Sequence, residues 1–229
     1  MNVIQTSCIA VFLSCEEATQ QGSAILRTSR REKEFVLQDW FRQRLDETRI
    51  AYDEPSRNVY PDFRLVNFAE GYEVKGLEFP GREATFDANS QVPTGCHRGR
   101  TIYYVFGRYP PYSDGVTEYP IIDLVVCHGD FLNADHEYVH ENKSFKGFGT
   151  YGDLMVRDRK MYVIPTPFAL LDGAAGYRTL ILPQDVPVTS ELQLVGELVR
   201  IEVKELVVAY SFDLQTRELT TRTIINPTA

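Results

Sequence analysis

No stretch of this 229-residue sequence is apolar for the length that a bilayer crossing needs. The most apolar run near its start, Ile9-Ala10-Val11-Phe12-Leu13, is short, has no basic segment ahead of it and runs on to Glu16 and Glu17. That pattern argues against a secretory leader. The four cysteines (Cys8, Cys15, Cys96 and Cys127) show no C-x-x-C spacing and no dense framework, and read as reduced thiols of a reducing compartment. Cys96-His97 and Cys127-His128 would offer zinc adjacent residues, an unusual arrangement; buried thiols beside surface histidines are the expectation. A basic excess is missing as well. With 24 Lys and Arg against 32 Asp and Glu, the net charge of −8 excludes a protein that coats nucleic acid non-specifically. It leaves room for an enzyme that gathers carboxylates at a metal and arginines in one cleft. Internal repeats and low-complexity linkers are also lacking, so residues 1–229 are expected to form one domain, ample for a hydrophobic core.

What is present begins with a helical pattern. Residues 24–50 read as the main helix, with Phe35, Val36, Leu37, Trp40, Phe41 and Leu45 on one side and Glu32, Glu34, Gln38, Arg42 and Asp46 on the other. Its end is expected near Asp53-Glu54-Pro55, where proline stops it. The chain then turns β-rich, with strands expected over 63–67, 72–77, 101–108, 121–127, 160–164, 178–182, 198–209 and 220–225. Residues 109–115 (Tyr-Pro-Pro-Tyr-Ser-Asp-Gly) form a strong turn signal between two of them. Residues 190–197 read as a short helix, and the last two strands as a closing hairpin. One early helix and a mixed sheet give an α/β or α+β class.

The segment YPDFRLVNFAEGYEVKGL (60–77) carries the chemistry. Asp62 begins one expected strand, and Glu73 and Lys75 lie two apart on the next, hence on one face, with Val74 pointing to the other. If the two strands pair as a hairpin, Asp62 comes beside Glu73. Two converging carboxylates suit a hard divalent cation, and a lysine beside them orients or helps deprotonate the attacking water. This is the minimum equipment for hydrolysing a phosphodiester. A second E-x-K, Glu202-Val203-Lys204, has no Pro-Asp upstream and reads as a solvated strand face.

Pro61-Asp62 followed by Glu73-Val74-Lys75 resembles the PD-(D/E)xK nuclease superfamily, most of all its type II restriction endonucleases. The resemblance implies a restriction-endonuclease-like core over about residues 30–127, a mixed sheet flanked by helices, with residues 128–229 as β-rich DNA-recognition and closing elements. It implies catalytic roles for Asp62, Glu73 and Lys75. Magnesium, or manganese in its place, would sit on Asp62, Glu73 and the Val74 carbonyl, with Glu34 or Glu32 of the preceding helix as a further ligand. The polar stretch Phe86-Asp87-Ala88-Asn89-Ser90-Gln91-Val92-Pro93, leading into the strand Ile102–Phe106, is similar to segments that touch DNA in such enzymes. The implied partners are double-stranded DNA and a second copy of the chain, in the cytoplasm of a prokaryote, with no membrane and no nucleotide cofactor. One departure stands out: residues 78–100 hold too much Gly, Pro and Asn for the helix that often follows the lysine strand. Other readings of the same residues are a repair or recombination nuclease, a DNA-binding module without catalysis, or an incidental acidic hairpin.

Two basic clusters are candidates for DNA. Arg157, Arg159 and Lys160 lie on an expected strand, where they read equally as groove contacts or as a solvated strand end. Arg98 and Arg100, beside Asn89 and Gln91, form the other. A rival motif, His136-Glu137-Tyr138-Val139-His140, matches the H-E-x-x-H of zinc metallopeptidases. Its charged flanks, Asp135 and Glu141-Asn142-Lys143, and the early Gly147 and Gly149 suit an exposed polar segment instead.

Overall fold

The fold is taken from a computed structural model, which describes residues 7–30, 35–55, 59–89, 91–133, 149–151, 154–156, 161–197, 206–212 and 219–225. The chain opens with α1 (Ser7–Gln20), β1 (Ala24–Leu26) and α2 (Val36–Thr48), followed by β2 (Tyr52–Asp53), β3 (Phe63–Leu65) and β4 (Glu70–Glu78). Next come β5 (Thr85–Asn89), β6 (Cys96–His97), β7 (Arg100–Tyr109), β8 (Glu118–Pro120) and β9 (Asp123–His128), which ends in a 3-10 turn over Gly129–Asn133. The remaining described elements are β10 (Gly149–Tyr151), β11 (Leu154–Val156), β12 (Met161–Pro165), α3 (Pro167–Leu170), β13 (Arg178–Ile181), β14 (Leu206–Phe212) and β15 (Leu219–Ile225). Two compact units result, residues 1–190 and 191–229. In the second, β14 and β15 form the expected antiparallel hairpin.

In the first unit the central sheet is mixed, in the order β13-β9-β7-β4-β3-β2, with β6 paired to the start of β7. Strands β2, β3 and β4 run as an antiparallel meander; β4 and β7 are parallel, β7 and β9 antiparallel, β9 and β13 parallel. The mixed α/β class is therefore as the sequence implies. Alternation along β7 divides the core. Tyr103, Val105 and Gly107 share the α2 side, where Phe41 packs on Phe63 and Tyr72 at 5.4 and 5.5 Å between ring centroids. Tyr104 and Phe106 turn the other way and join Phe86 and Ala88 of β5 and Val125 and Cys127 of β9 in a second apolar layer.

Leu37 of α2 packs directly on the backbone of the sheet. Gly76 and Gly107 are register partners on β4 and β7, and the fully buried Leu37 fills the space above them. A Cβ on Gly107 would stand 2.9 Å from Leu37 Cδ1, and one on Gly76 3.2 Å from Leu37 Cβ. Side-chain-free backbone is what lets the helix sit there.

Several expectations are corrected. The helix expected over 24–50 is shorter: Ala24–Leu26 is a strand paired with β8, and α2 spans only Val36–Thr48. It ends not at proline but at Arg49, whose left-handed backbone (φ 57°) turns its N–H onto the Asp46 carbonyl. A first helix, α1, was not anticipated; its apolar residues surround it so evenly that no amphipathic period stands out, and Cys8, Ile9, Val11, Phe12 and Cys15 are all buried. The polar stretch 86–93 after the lysine strand is a strand over its first half: β5 pairs with β12 and buries Phe86 and Ala88. Residues 191–197 are irregular rather than helical. Cys8, Cys15 and Cys127 are buried free thiols as expected, whereas Cys96 is exposed.

Candidate active site

The antiparallel register pairs Phe63 with Tyr72, so the next step outward sets Asp62 across from Glu73. Pro61 holds the approach tight by lying against Gly71, where an added Cβ would come within 2.6 Å of its ring. Asp62 then accepts the backbone N–H of Val74 on Oδ2 at 2.8 Å. Lys75 Nζ donates to Glu73 Oε1 at 2.6 Å, which confirms that the two side chains share a face, and Val74 is buried on the opposite one. Asp62, Glu73, Val74 and Lys75 are thus brought together as the spacing suggests.

The electrostatics are those of two carboxylates confined near each other. Burial, and after it the charge of Glu73, push Asp62 up to about 7, against the opposing pulls of Lys75, the Val74 N–H and the Gln38 side chain. Gln38 is the residue of α2 that reaches Asp62. It belongs to the polar side of the helical pattern, but nothing in that pattern distinguishes it from its neighbours. Tyr60 and Tyr104 complete the surroundings. Tyr104 is the register partner of Glu73 on β7, and its hydroxyl lies 3.1 Å from that of Tyr60. Burial and the carboxylates of Glu73 and Asp62 hold the Tyr60 phenol in its neutral form. The His97 ring stands edge-on to Tyr60 at 5.0 Å. Neither tyrosine carries a sequence signal beyond the position of Tyr60 ahead of Pro-Asp.

The donor set can be matched against a metal by its chemistry. Among the described residues no group of three or more His, Cys, Asp and Glu side chains converges. The Cys96-His97 and Cys127-His128 pairs therefore do not come together as the ligand set of a structural zinc site. Two carboxylates and a backbone carbonyl fit an ion such as Mg²⁺, which keeps several of its waters. The raised Asp62 follows first from its burial and then from the nearness of Glu73.

The other sequence candidates are scattered. Arg98 is exposed at the tip of the β6–β7 hairpin. Arg100 donates through Nη1 to the carbonyls of Leu65 at 2.8 Å, Phe68 at 3.0 Å and Glu70 at 3.4 Å, so its guanidinium ties down the β3–β4 turn. Gln91 is half-buried and donates to the Val92 carbonyl at 3.4 Å, while Asn89 closes β5 with its backbone opposite Met161. Glu32, Glu34, the His136–His140 motif, Arg157, Arg159, Lys160 and the Glu202-Val203-Lys204 segment lie outside the described residues.

No protein-family model matches the chain, and neither a curated protein nor a solved structure matches it. No helix among the described residues is long and apolar enough to cross a membrane.

Proposed function

We propose that the chain is a Mg²⁺-dependent endonuclease of the PD-(D/E)xK kind, acting on double-stranded DNA in the manner of a type II restriction enzyme. The observation that carries this reading is the approach of Asp62 to Glu73 across an antiparallel pair, with Lys75 on the same face and hydrogen-bonded to Glu73. Further support comes from the order of elements around it: a helix, an antiparallel meander bearing both carboxylates, then a parallel neighbour in β7.

Asp62, Glu73 and the Val74 carbonyl would hold the ion; when bound, it neutralises phosphate charge and acidifies water. The protein's own groups supply the rest. Val74 N–H and the Gln38 side chain orient the Asp62 carboxylate. Lys75, steadied by Glu73, orients the attacking water and places positive charge beside the oxygens on which negative charge develops. The buried Tyr104 and the half-buried Tyr60, joined through their hydroxyls, form an apolar-backed wall that limits water beside Glu73. A homodimer belongs to the same proposal, because cutting both strands of a symmetric duplex asks for two copies of the site.

Plasmid DNA incubated with the protein, with and without Mg²⁺, tests it. Discrete Mg²⁺-dependent fragments that vanish in Asp62→Ala are the expected result. A smear would reduce the reading to a non-specific nuclease, and binding without cleavage would leave a DNA reader. Cleavage by Asp62→Ala at the normal rate would remove the assignment.

A further inference from the structure

The hairpin between β6 and β7 carries an arginine at a turn position that favours glycine or asparagine. His97 and Arg100 are register partners, so the connection is the two residues Arg98 and Gly99, with φ of 50° and 75°. Two positive φ values are those of the mirror-image turn that matches strand twist, a turn that glycine and asparagine enter readily and that an ordinary side chain resists. Among the described residues the other non-glycine with positive φ is Arg49, and there the helix end uses the conformation to satisfy a carbonyl. At Arg98 the conformation closes the turn, a task for which no arginine side chain is needed. It is exposed, with no hydrogen bond or ion pair to another described residue.

The turn is nevertheless held from both flanks. Behind it, Gly95 donates its N–H to Asp130 Oδ1 at 2.6 Å, and its carbonyl accepts the Ile102 N–H at 3.0 Å. The backbone there is so close to its neighbours that a Cβ on Gly95 would overlap His128, and one on Gly129 the Thr94 carbonyl. Beyond it, Arg100 is anchored on three carbonyls of the β3–β4 turn. His97, next to the tip, rests on Tyr60, two residues from Asp62. An exposed cation is thus displayed on a braced turn whose flanking residue, His97, touches the tyrosine two residues before Asp62.

We infer that the β6–β7 hairpin is a preset arm whose Arg98 contacts a phosphate of the bound duplex, alongside the strand presented to Asp62 and Glu73. This rests on the nuclease reading above and adds to it the group that grips the backbone. In a chain of net charge −8, such grip must come from individually placed cations rather than a general basic field.

The test compares Arg98→Asn and Arg98→Lys with the natural protein, reading duplex affinity in EDTA across a salt series and thermal unfolding in parallel. Asparagine suits the turn, so Arg98→Asn should unfold at the same or a higher temperature while binding linear plasmid duplex about five-fold more weakly near 0.1 M salt, with a log–log salt slope shallower by about 1. Arg98→Lys should keep the slope. Natural affinity and slope in Arg98→Asn, a fall in its unfolding temperature, or an equal loss in Arg98→Lys would each overturn the arm. If the natural protein neither binds duplex nor cleaves it in Mg²⁺, the nuclease reading falls and takes the arm with it. If it binds duplex and Arg98→Asn is unchanged, the arm alone falls.

Discussion

Asp62 Oδ2 accepts the Val74 N–H at 2.8 Å, so the first carboxylate of the candidate site is fastened to the strand that carries the second. The two groups cannot drift apart without breaking that bond. Burial, and after it the repulsion that this nearness builds in, raise Asp62 and favour its neutral acid.

This has a consequence for stability. A carboxyl whose folded value is raised from 3.8 to about 7 binds its proton more tightly in the fold, so the fold loses stability as pH rises between those values and carries the full penalty above 7. Asp62→Asn removes the charge with little change of shape. Its unfolding temperature should exceed that of the natural protein at pH 8 and converge with it near pH 4, while Mg²⁺-dependent cleavage is lost. Thermal unfolding at the two pH values decides, and an equal difference at both would contradict the raised value. Added Mg²⁺ should likewise raise the unfolding temperature of the natural protein more at pH 8 than at pH 5, and not that of Asp62→Asn.

The glycine window under Leu37 is a packing prediction. Gly107→Ala would bring a methyl group to 2.9 Å from a side chain with no free space to retreat into, an overpacking that costs about 1–3 kcal/mol. Leu37→Ala alone should cost about 2–5 kcal/mol through the cavity it leaves. The double variant should lose less than the two costs added, because each change relieves the other. Urea unfolding of the four proteins measures this.

Arg100 and Arg98 should separate cleanly despite lying two residues apart. Arg100→Ala releases three carbonyls at the β3–β4 turn, so a loss of about 1.5–3 kcal/mol in urea unfolding is expected, the usual range for hydrogen bonds from a charged group. Its duplex binding at a temperature where the variant is folded should keep the natural salt slope. A stable Arg100→Ala with a shallower slope would return Arg100 to the DNA-contacting role that its position in the sequence suggests.

A buried ion pair rivets β7 to β9. Arg108 and Asp123 are register partners; Asp123 is wholly buried, takes three hydrogen bonds from the Arg108 guanidinium and accepts the Gly176 N–H at 2.9 Å. Phe79 and Phe168 lie against the guanidinium at 4.2 and 4.4 Å from their ring centroids. Asp123→Ala strands the cation between two aromatic rings and should cost about 3–5 kcal/mol. A change under 1 kcal/mol in denaturant unfolding would show that water reaches the pair.

By itself the sequence determined whatever depends on strand period and local punctuation. Alternation along β4 puts Glu73 and Lys75 on one face and Val74 on the other; the runs that became β7 and β9 were legible because buried strands are nearly continuous in apolar residues. The Pro-Asp and Glu-Val-Lys spacing located the carboxylate pair, since a short turn between two strands leaves little choice of register. Tertiary structure alone decided the rest. Gln38 was one polar residue among several until packing on Gly76 and Gly107 set the height and rotation of α2. Residues 86–89 looked polar enough for a loop until β12, more than 70 residues later, supplied the partner that makes them a strand. Arg98 and Arg100 are the same residue type two apart, and only the fold spends one on backbone carbonyls and leaves the other at an exposed turn. A side chain's period is a property of its own strand; its partners come from segments far away in the chain, and no local pattern carries them.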